Sequence, residues 1–223
     1  MDPRVQKLAK LLIHYSLKLK SGQLIKITGE PVTLPLLLAA YEEAVKVGAH
    51  PLLELRPPEA DEILLKHGSD KQLQFVSPMG KVEINRLDAY LMVWGSKNTK
   101  YLSGVDPKRQ ALRQQSRRPY MMRFFKRTAE GSLKWVGTQF PTEADAQDAG
   151  MSLSDYEDFV YRAGHLHSAD PVKHWQKVAK QQRRLVRLLN KLDHLHVQAP
   201  DTDLHLRVKG RKWISCHGDQ NFP

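Results

Sequence analysis

Only one of the 223 residues is cysteine, Cys216. A single thiol excludes a disulfide framework and any all-cysteine zinc site. No stretch reaches the roughly 18 uninterrupted apolar residues of a membrane helix. The opening MDPRVQKLAKLL lacks the charged-then-apolar layout of an export signal. Several motifs are also missing. There is no G-x-x-x-x-G-K-[ST] or G-x-G-x-x-G phosphate cradle, no G-x-S-x-G nucleophile elbow and no H-E-x-x-H zinc helix. These absences point to a reduced, cytoplasmic protein with no membrane partner.

What is present is ordinary globular material, 41% hydrophobic and 26% charged, enough to bury a sizeable core. At about 150 residues per domain, the length suits one large domain or two small ones. Lys and Arg number 35 against 24 Asp and Glu, a net charge of +11, which invites an anionic partner without identifying one.

The chain alternates between helical and extended patterns. Asp2-Pro3 caps a first helix whose apolar residues, Val5, Leu8, Leu11, Leu12 and Tyr15, recur at helical spacing until Gly22. A strand at 23–28 (QLIKIT), a helix from 33 to Gly48 and a strand at 52–55 form one strand–helix–strand unit, which favours a parallel sheet. Helical pieces follow at 59–67, 70–76 and 78–87. The run DAYLMVW at 88–94 reads as a strand buried on both faces. Further helices are expected from Asp106-Pro107, at 142–148, at 152–163 and from Asp170-Pro171 to about 192. Strands are expected at 121–125 and 134–140. The segments 203–208 and 211–215, joined by Lys209-Gly210, read as a hairpin. The fold class is therefore α/β: an open, mostly parallel sheet flanked by helices, followed by a C-terminal β-hairpin.

No active site is complete in these residues. Gly29 lies between a strand and a helix, but Glu30 would repel a phosphate there, and a tight turn accounts for the glycine. Cys216 and His217 are sequence neighbours with no third group to orient them. His165 and His167, like His194 and His196, are spaced to share one face of a strand, as metal ligands do, with His205 and His217 not far off. No acidic ligand interleaves them at a familiar spacing. Glu42-Glu43, Asp61-Glu62 and Asp155, Glu157, Asp158 fit the wet faces of helices, and Asp201 and Asp203 fit turn caps. The helix at 173–191 has an apolar stripe of Trp175, Val178, Leu185, Leu189 and Leu192. Its other faces carry Lys173, Lys177, Lys180, Arg183, Arg184, Arg187 and Lys191. Such a face could follow phosphates. Without a stacking platform or a nucleic-acid motif, nucleic acid is disfavoured, and acidic neighbours within the protein are the expected partners.

Three segments resemble the thermophilic metallo-aminopeptidase family, the dimetal leucyl-type aminopeptidases. They are TLPLLLAAYEEAVKVGAHPLLEL at 33–55, WVGTQFPTEADAQDAGMSLSDYEDFVYRA at 135–163 and DTDLHLRVKGRKWISCHGDQNFP at 201–223. The middle segment is the most specific, with PT followed by AQDAGMSL-x-x-YEDFVYRA. The opening also fits, so the resemblance spans essentially the whole chain. It implies an exopeptidase that removes residues from peptide N-termini with two divalent metal ions (zinc, cobalt or magnesium), and a homodimer enclosing a cavity.

In that family Asn-Phe-Pro runs on into Asp-Gly-Glu, whose Glu is the first metal ligand. The resemblance thus implies that the ligands and the catalytic base lie beyond Pro223, and no histidine here matches a family ligand position. The expectation is residues 1–199 as an N-terminal α/β domain and 200–223 as the start of the catalytic domain. No residue of this chain is assigned a catalytic, cofactor or metal role. No ion is expected on it, and alone it is expected to be an inactive portion of the enzyme. The alternatives are a nucleic-acid-binding module using the helix at 173–191 and a stand-alone interaction domain.

Overall fold

The computed structural model describes residues 2–219. The Asn-Phe-Pro signature at 221–223 lies outside them. Helix α1 (Pro3–Lys10) starts as expected: the Asp2 carboxylate accepts from the Arg4 N–H, and Pro3 occupies the first turn. The helix widens into a π-helical segment, Leu11–Ser16, in which Leu11, Leu12, Ile13, Tyr15 and Ser16 are all buried. Strand β1 (Leu24–Gly29), a 3-10 turn (Pro31–Thr33), helix α2 (Leu34–Lys46) and strand β2 (His50–Leu55) form the expected strand–helix–strand unit. Then come α3 (Pro58–His67), α4 (Asp70–Gln74), α5 (Pro78–Arg86) and β3 (Ala89–Trp94). Helices α6 (Pro107–Ser116) and α7 (Arg118–Ala129) lead to β4 (Lys134–Gln139). Helices α8 (Glu143–Asp148), α9 (Leu153–Ala163) and α10 (Pro171–Leu189) precede the strands β5 (His194–Ala199) and β6 (Thr202–Arg207).

The main sheet has the order β2-β1-β3-β4 and is parallel throughout. Side-chain alternation sends Ile25 and Ile27 of β1 to one face, where they join Leu91, Val93 and Val136 under α1, the π-helical segment and α2. Leu24 and Met92 point the other way, against Ile84 and Leu87 from the α5 region and Phe124 from α7. Phe124 meets Tyr90 and Trp135 edge-to-face, with centroids 6.1 and 5.9 Å away. With helices on both faces, β3 reads as a near-continuous apolar run, while β1 also buries Lys26 and Thr28. Arg4 ties α1 to α9: its guanidinium contacts Glu157 at 2.8 Å and Asp158 at 2.7 Å, and lies 4.6 Å from the Tyr161 ring centroid.

Two segments differ from the sequence reading. Residues 121–125, expected as a strand, lie inside α7. A short apolar run cannot separate helix from strand by itself. Here Phe124 and Arg127 are the buried residues, while Met122 and Phe125 face water. Pro119 in the first turn is the helix start signal.

The hairpin also shifts. Residue pairs run from His194↔Arg207 to Ala199↔Thr202, and the turn is Pro200-Asp201 rather than Lys209-Gly210. Pro presets φ at the first turn position, and Asp201 takes the left-handed φ of +55° at the second. The N–H groups of Val208 and Lys209 close the far end on the Asp193 carbonyl. One hairpin face carries Leu195, Val197, Leu204 and Leu206, the last three 40–45% exposed. Residue 200 falls in the turn between the two strands.

Candidate functional site

The chain steps outward from β1 to β2 on one side and from β3 to β4 on the other. The connections therefore diverge between β1 and β3, opening a crevice beyond the carboxyl ends of these strands, the usual ligand position in open parallel sheets. One lobe of about 410 Å³ occupies it, and a second of about 420 Å³ runs back along the sheet face under α5 and α7; the two share Arg56 and Met92.

The first lobe is acidic. Glu30 follows the last residue of β1, and its carbonyl accepts both the N–H (2.9 Å) and the hydroxyl (2.8 Å) of Thr33. Gly29 is needed for close approach rather than for a turn: a Cβ there would run into the Thr33 side chain and come within 2.9 Å of the Val93 carbonyl oxygen. Asp145 enters from α8 and accepts from Thr142 Oγ1 at 2.7 Å and Gln139 Nε2 at 2.9 Å. Asp61 and Tyr101 complete the wall. Glu30 Oε2 is buried without a hydrogen-bond partner. Burial pushes the Glu30 carboxyl up; the Lys97 N–H and Ser96 hydroxyl oppose this, and the charges of Glu59 and Asp145 add to it. This lobe suits a cationic or N–H-donating group.

The second lobe joins fixed charge to apolar walls. Lys26 on β1 is buried between Glu54 of β2 and Glu83 of α5. Arg56 donates to Glu54 Oε1 at 2.8 Å and to the Tyr90 hydroxyl at 3.1 Å. Phe75, Met79, Met121 and Phe124 supply the apolar lining. Burial pushes the Tyr120 hydroxyl well above the usual tyrosine value, with Tyr90 and Glu83 adding to it. Four basic side chains, Lys26, Arg56, Arg113 and Arg117, outnumber the two acids, Glu54 and Glu83, so the lobe keeps a net positive charge beside walls that suit an apolar side chain.

The histidines separate into two places. His165, in the left-handed region at φ +58° after α9, stacks on His174 of α10 with centroids 3.3 Å apart, and His167 lies 5.4 Å from it. Burial lowers the His165 pKa, and His174 and His167 reinforce the shift. His194 pairs in register with Arg207, whereas His196 lies opposite His205. The His196 and His205 rings stack at 4.0 Å, and Asp203 Oδ1 lies 2.6 Å from His196 Nε2 and 3.4 Å from His205 Nε2. The His217 ring is engaged by Ser215 (3.2 Å) and Asp219 (3.5 Å), while Cys216 is exposed.

Several acids expected on wet surfaces are structural. Glu43 is buried and holds His14 at 3.0 Å and Lys46 at 3.0 Å. Asp203 lies within β6 rather than capping a turn. Asp61, in α3, is exposed as its helix pattern predicted, whereas no motif marks Arg56 just past the end of β2. On α10 the buried stripe runs through Pro171 and Ala179, with Trp175 partly buried, while Leu185 and Leu188 are more than half exposed. Its seven basic side chains between Lys173 and Lys191 form no ion pair among the described residues, contrary to the expected acidic neighbours.

A family profile described as Thermophilic metalloprotease (M29) matches residues 1–223. The chain belongs to this thermophilic metalloprotease family. Wild-type AmpT from Thermus thermophilus shares its fold, with a TM-score of 0.79 at 19% identity over 98% of this chain. The match covers 59% of AmpT, so this chain spans under two thirds of that protein's length. No curated protein sequence matches.

For a thermophilic metalloprotease the question is which residues could hold metal. Among the described residues, three metal-capable donors converge at one place, His196, Asp203 and His205, all exposed on the hairpin. Three donors suit one ion. A two-metal centre needs ligands for ions about 3.5–4 Å apart. The described residues do not fit a pair of ions. Among the described residues no helix is long and apolar enough to cross a membrane.

Proposed function

We propose that this chain forms the N-terminal α/β part of a metal-dependent aminopeptidase, which hydrolyses residues from peptide N-termini. The observation that carries the reading is the family match over all 223 residues. In this reading the parallel sheet is a scaffold, and the crevice between β1 and β3 contributes to the wall of a peptide cavity. Its acidic lobe suits a peptide ammonium and its apolar lobe a side chain. The division is an α/β unit to residue 199 and the start of the catalytic part from 200. The two divalent ions are held by ligands of that catalytic part, and the whole enzyme is a cytoplasmic homodimer.

The test is an exchange. A family aminopeptidase carrying this chain in place of its own matching segment should cleave aminoacyl chromogenic substrates, whereas the 223-residue chain alone, supplied with zinc, cobalt or magnesium, should not. An inactive but folded chimera, or turnover by the chain alone that survives chelation and re-metallation, would overturn the reading.

The basic face of α10, without an ion pair among the described residues, favours a second reading, an anionic partner such as nucleic acid. Its affinity should fall by about 0.9 log units per log unit of salt for each phosphate neutralised. Absence of binding at low salt removes it.

A further inference from the structure

We propose that His196, Asp203 and His205 bind a single divalent transition-metal ion that clips β5 to β6. The inference goes beyond the aminopeptidase reading and does not depend on it.

The antiparallel register carries the geometry. His196 and His205 are directly opposed partners, so their side chains leave the same face of the hairpin. Asp203 is two residues from His205 and shares that face. The rings lie 16° from parallel, and the Nε2 atoms of both approach the same oxygen, Asp203 Oδ1. The three ligand atoms all fall within 4.8 Å of one another. Zinc bonds to imidazole nitrogen and carboxylate oxygen are about 2.0–2.2 Å, which places neighbouring donors roughly 3.3 Å apart in a tetrahedron. Imidazole lone pairs lie in the ring planes, so the two rings must turn out of their stack to aim at one ion, and solvent can supply the fourth position because all three residues are exposed. Two imidazoles and one carboxylate select zinc, nickel, copper or cobalt over magnesium or calcium.

The fold supplies a reason for such a clip. A two-stranded hairpin is marginal by itself, and the opposite face of this one is only half covered. Two of the three ligands belong to β6 and one to β5, so an ion joins the strands across the ladder in a register that a slip would destroy.

The test is calorimetric titration of the full 223-residue chain with zinc at about pH 7.5, with hydrogen exchange of the β5 and β6 amides measured in parallel. The expected result is saturable binding that slows exchange in the hairpin. His205→Ala should weaken this binding by at least about tenfold, since even loss of a group that merely orients a ligand costs that much. The variant's amides should no longer respond to zinc, and Cys216→Ser should bind as the parent does. Absence of saturable binding, or binding and amide protection unchanged in folded His205→Ala and His196→Ala variants, overturns the proposal. Neither readout uses peptide hydrolysis, so its failure is distinct from failure of the aminopeptidase reading.

Discussion

The ammonium of Lys26 lies 2.5 Å from Glu83 Oε1, joining the central strand β1 to helix α5 across one face of the sheet. The pair lacks a well-directed hydrogen bond at that oxygen, so it acts through charge and proximity. Burial works against the ammonium, yet Glu54 and Glu83 outweigh it and hold the Lys26 pKa above its ordinary value.

Removing the cation leaves two carboxylates facing each other in a half-dry site. Lys26→Ala is expected to cost about 3 kcal/mol, the low end for breaking a buried pair because both acids keep some water. Urea unfolding at neutral pH measures it. Adding Glu83→Gln should restore part of the loss, and strict additivity of the two substitutions would refute the coupling.

Acid should weaken the same cluster. Burial would raise the Glu54 carboxyl, but Arg56 and Lys26 hold it below its usual range. A depressed carboxyl contributes stability above its unfolded pKa and loses it as pH falls through the folded one. Glu54→Gln should therefore flatten the acid limb of a stability–pH profile. Glu30 has the opposite sign. Its raised carboxyl costs stability as pH rises, so Glu30→Gln should make the protein more stable at pH 7 and remove that dependence. Chemical unfolding across pH 3–8 reads both.

Arg127, buried in α7, donates to the Ile84 and Leu87 carbonyls at 2.9 and 2.7 Å and to the Ser132 carbonyl at 2.7 Å. Arg127→Met keeps the volume but orphans these acceptors, two at the end of α5 and one just past α7. At about 1–3 kcal/mol for each buried group left unsatisfied, and with relaxation recovering part, a loss of about 3 kcal/mol is expected in thermal or urea unfolding. A change below about 0.5 kcal/mol would show that water replaces the guanidinium.

Gly137 on β4 lies under the Trp94 ring, where a Cβ would overlap ring carbons. Gly137→Ala should cost about 1–3 kcal/mol, the range for overpacking, and should move the Trp94 fluorescence maximum as the indole is displaced. Gly131, with open space around its Cβ position, is the control for the crowding term; its φ of +73° adds only backbone strain.

Much of the secondary structure was legible because its signals are local. Asp2, Asp106, Ser152 and Asp170 each accept an N–H two or three residues on, and three of the four are followed by proline. Such contacts form within one turn and leave a pattern in the sequence. The strand–helix–strand unit at Leu24–Leu55 was readable for the same reason, from periodicity and the stop at Gly48. Segment 121–125 was not, because both periods fit four apolar residues around Arg123 and only burial of Phe124 against Tyr90 and Trp135 separates them.

The local code by itself determined most helix starts, that of α7 excepted, the parallel strand order's first step, the family signature and the exclusion of a disulfide scaffold. Tertiary structure alone decided which charges lie inside: Lys26 finds Glu54 and Glu83, and Glu43 finds His14, across distances in sequence that no spacing rule spans. It also decided that His196 meets His205 rather than His194, because side chains converge across a ladder only once the register is set. The physical reason is the same throughout: hydrogen bonds and rotamers within a turn are fixed by neighbours in the chain, whereas desolvation and charge pairing are fixed by neighbours in space.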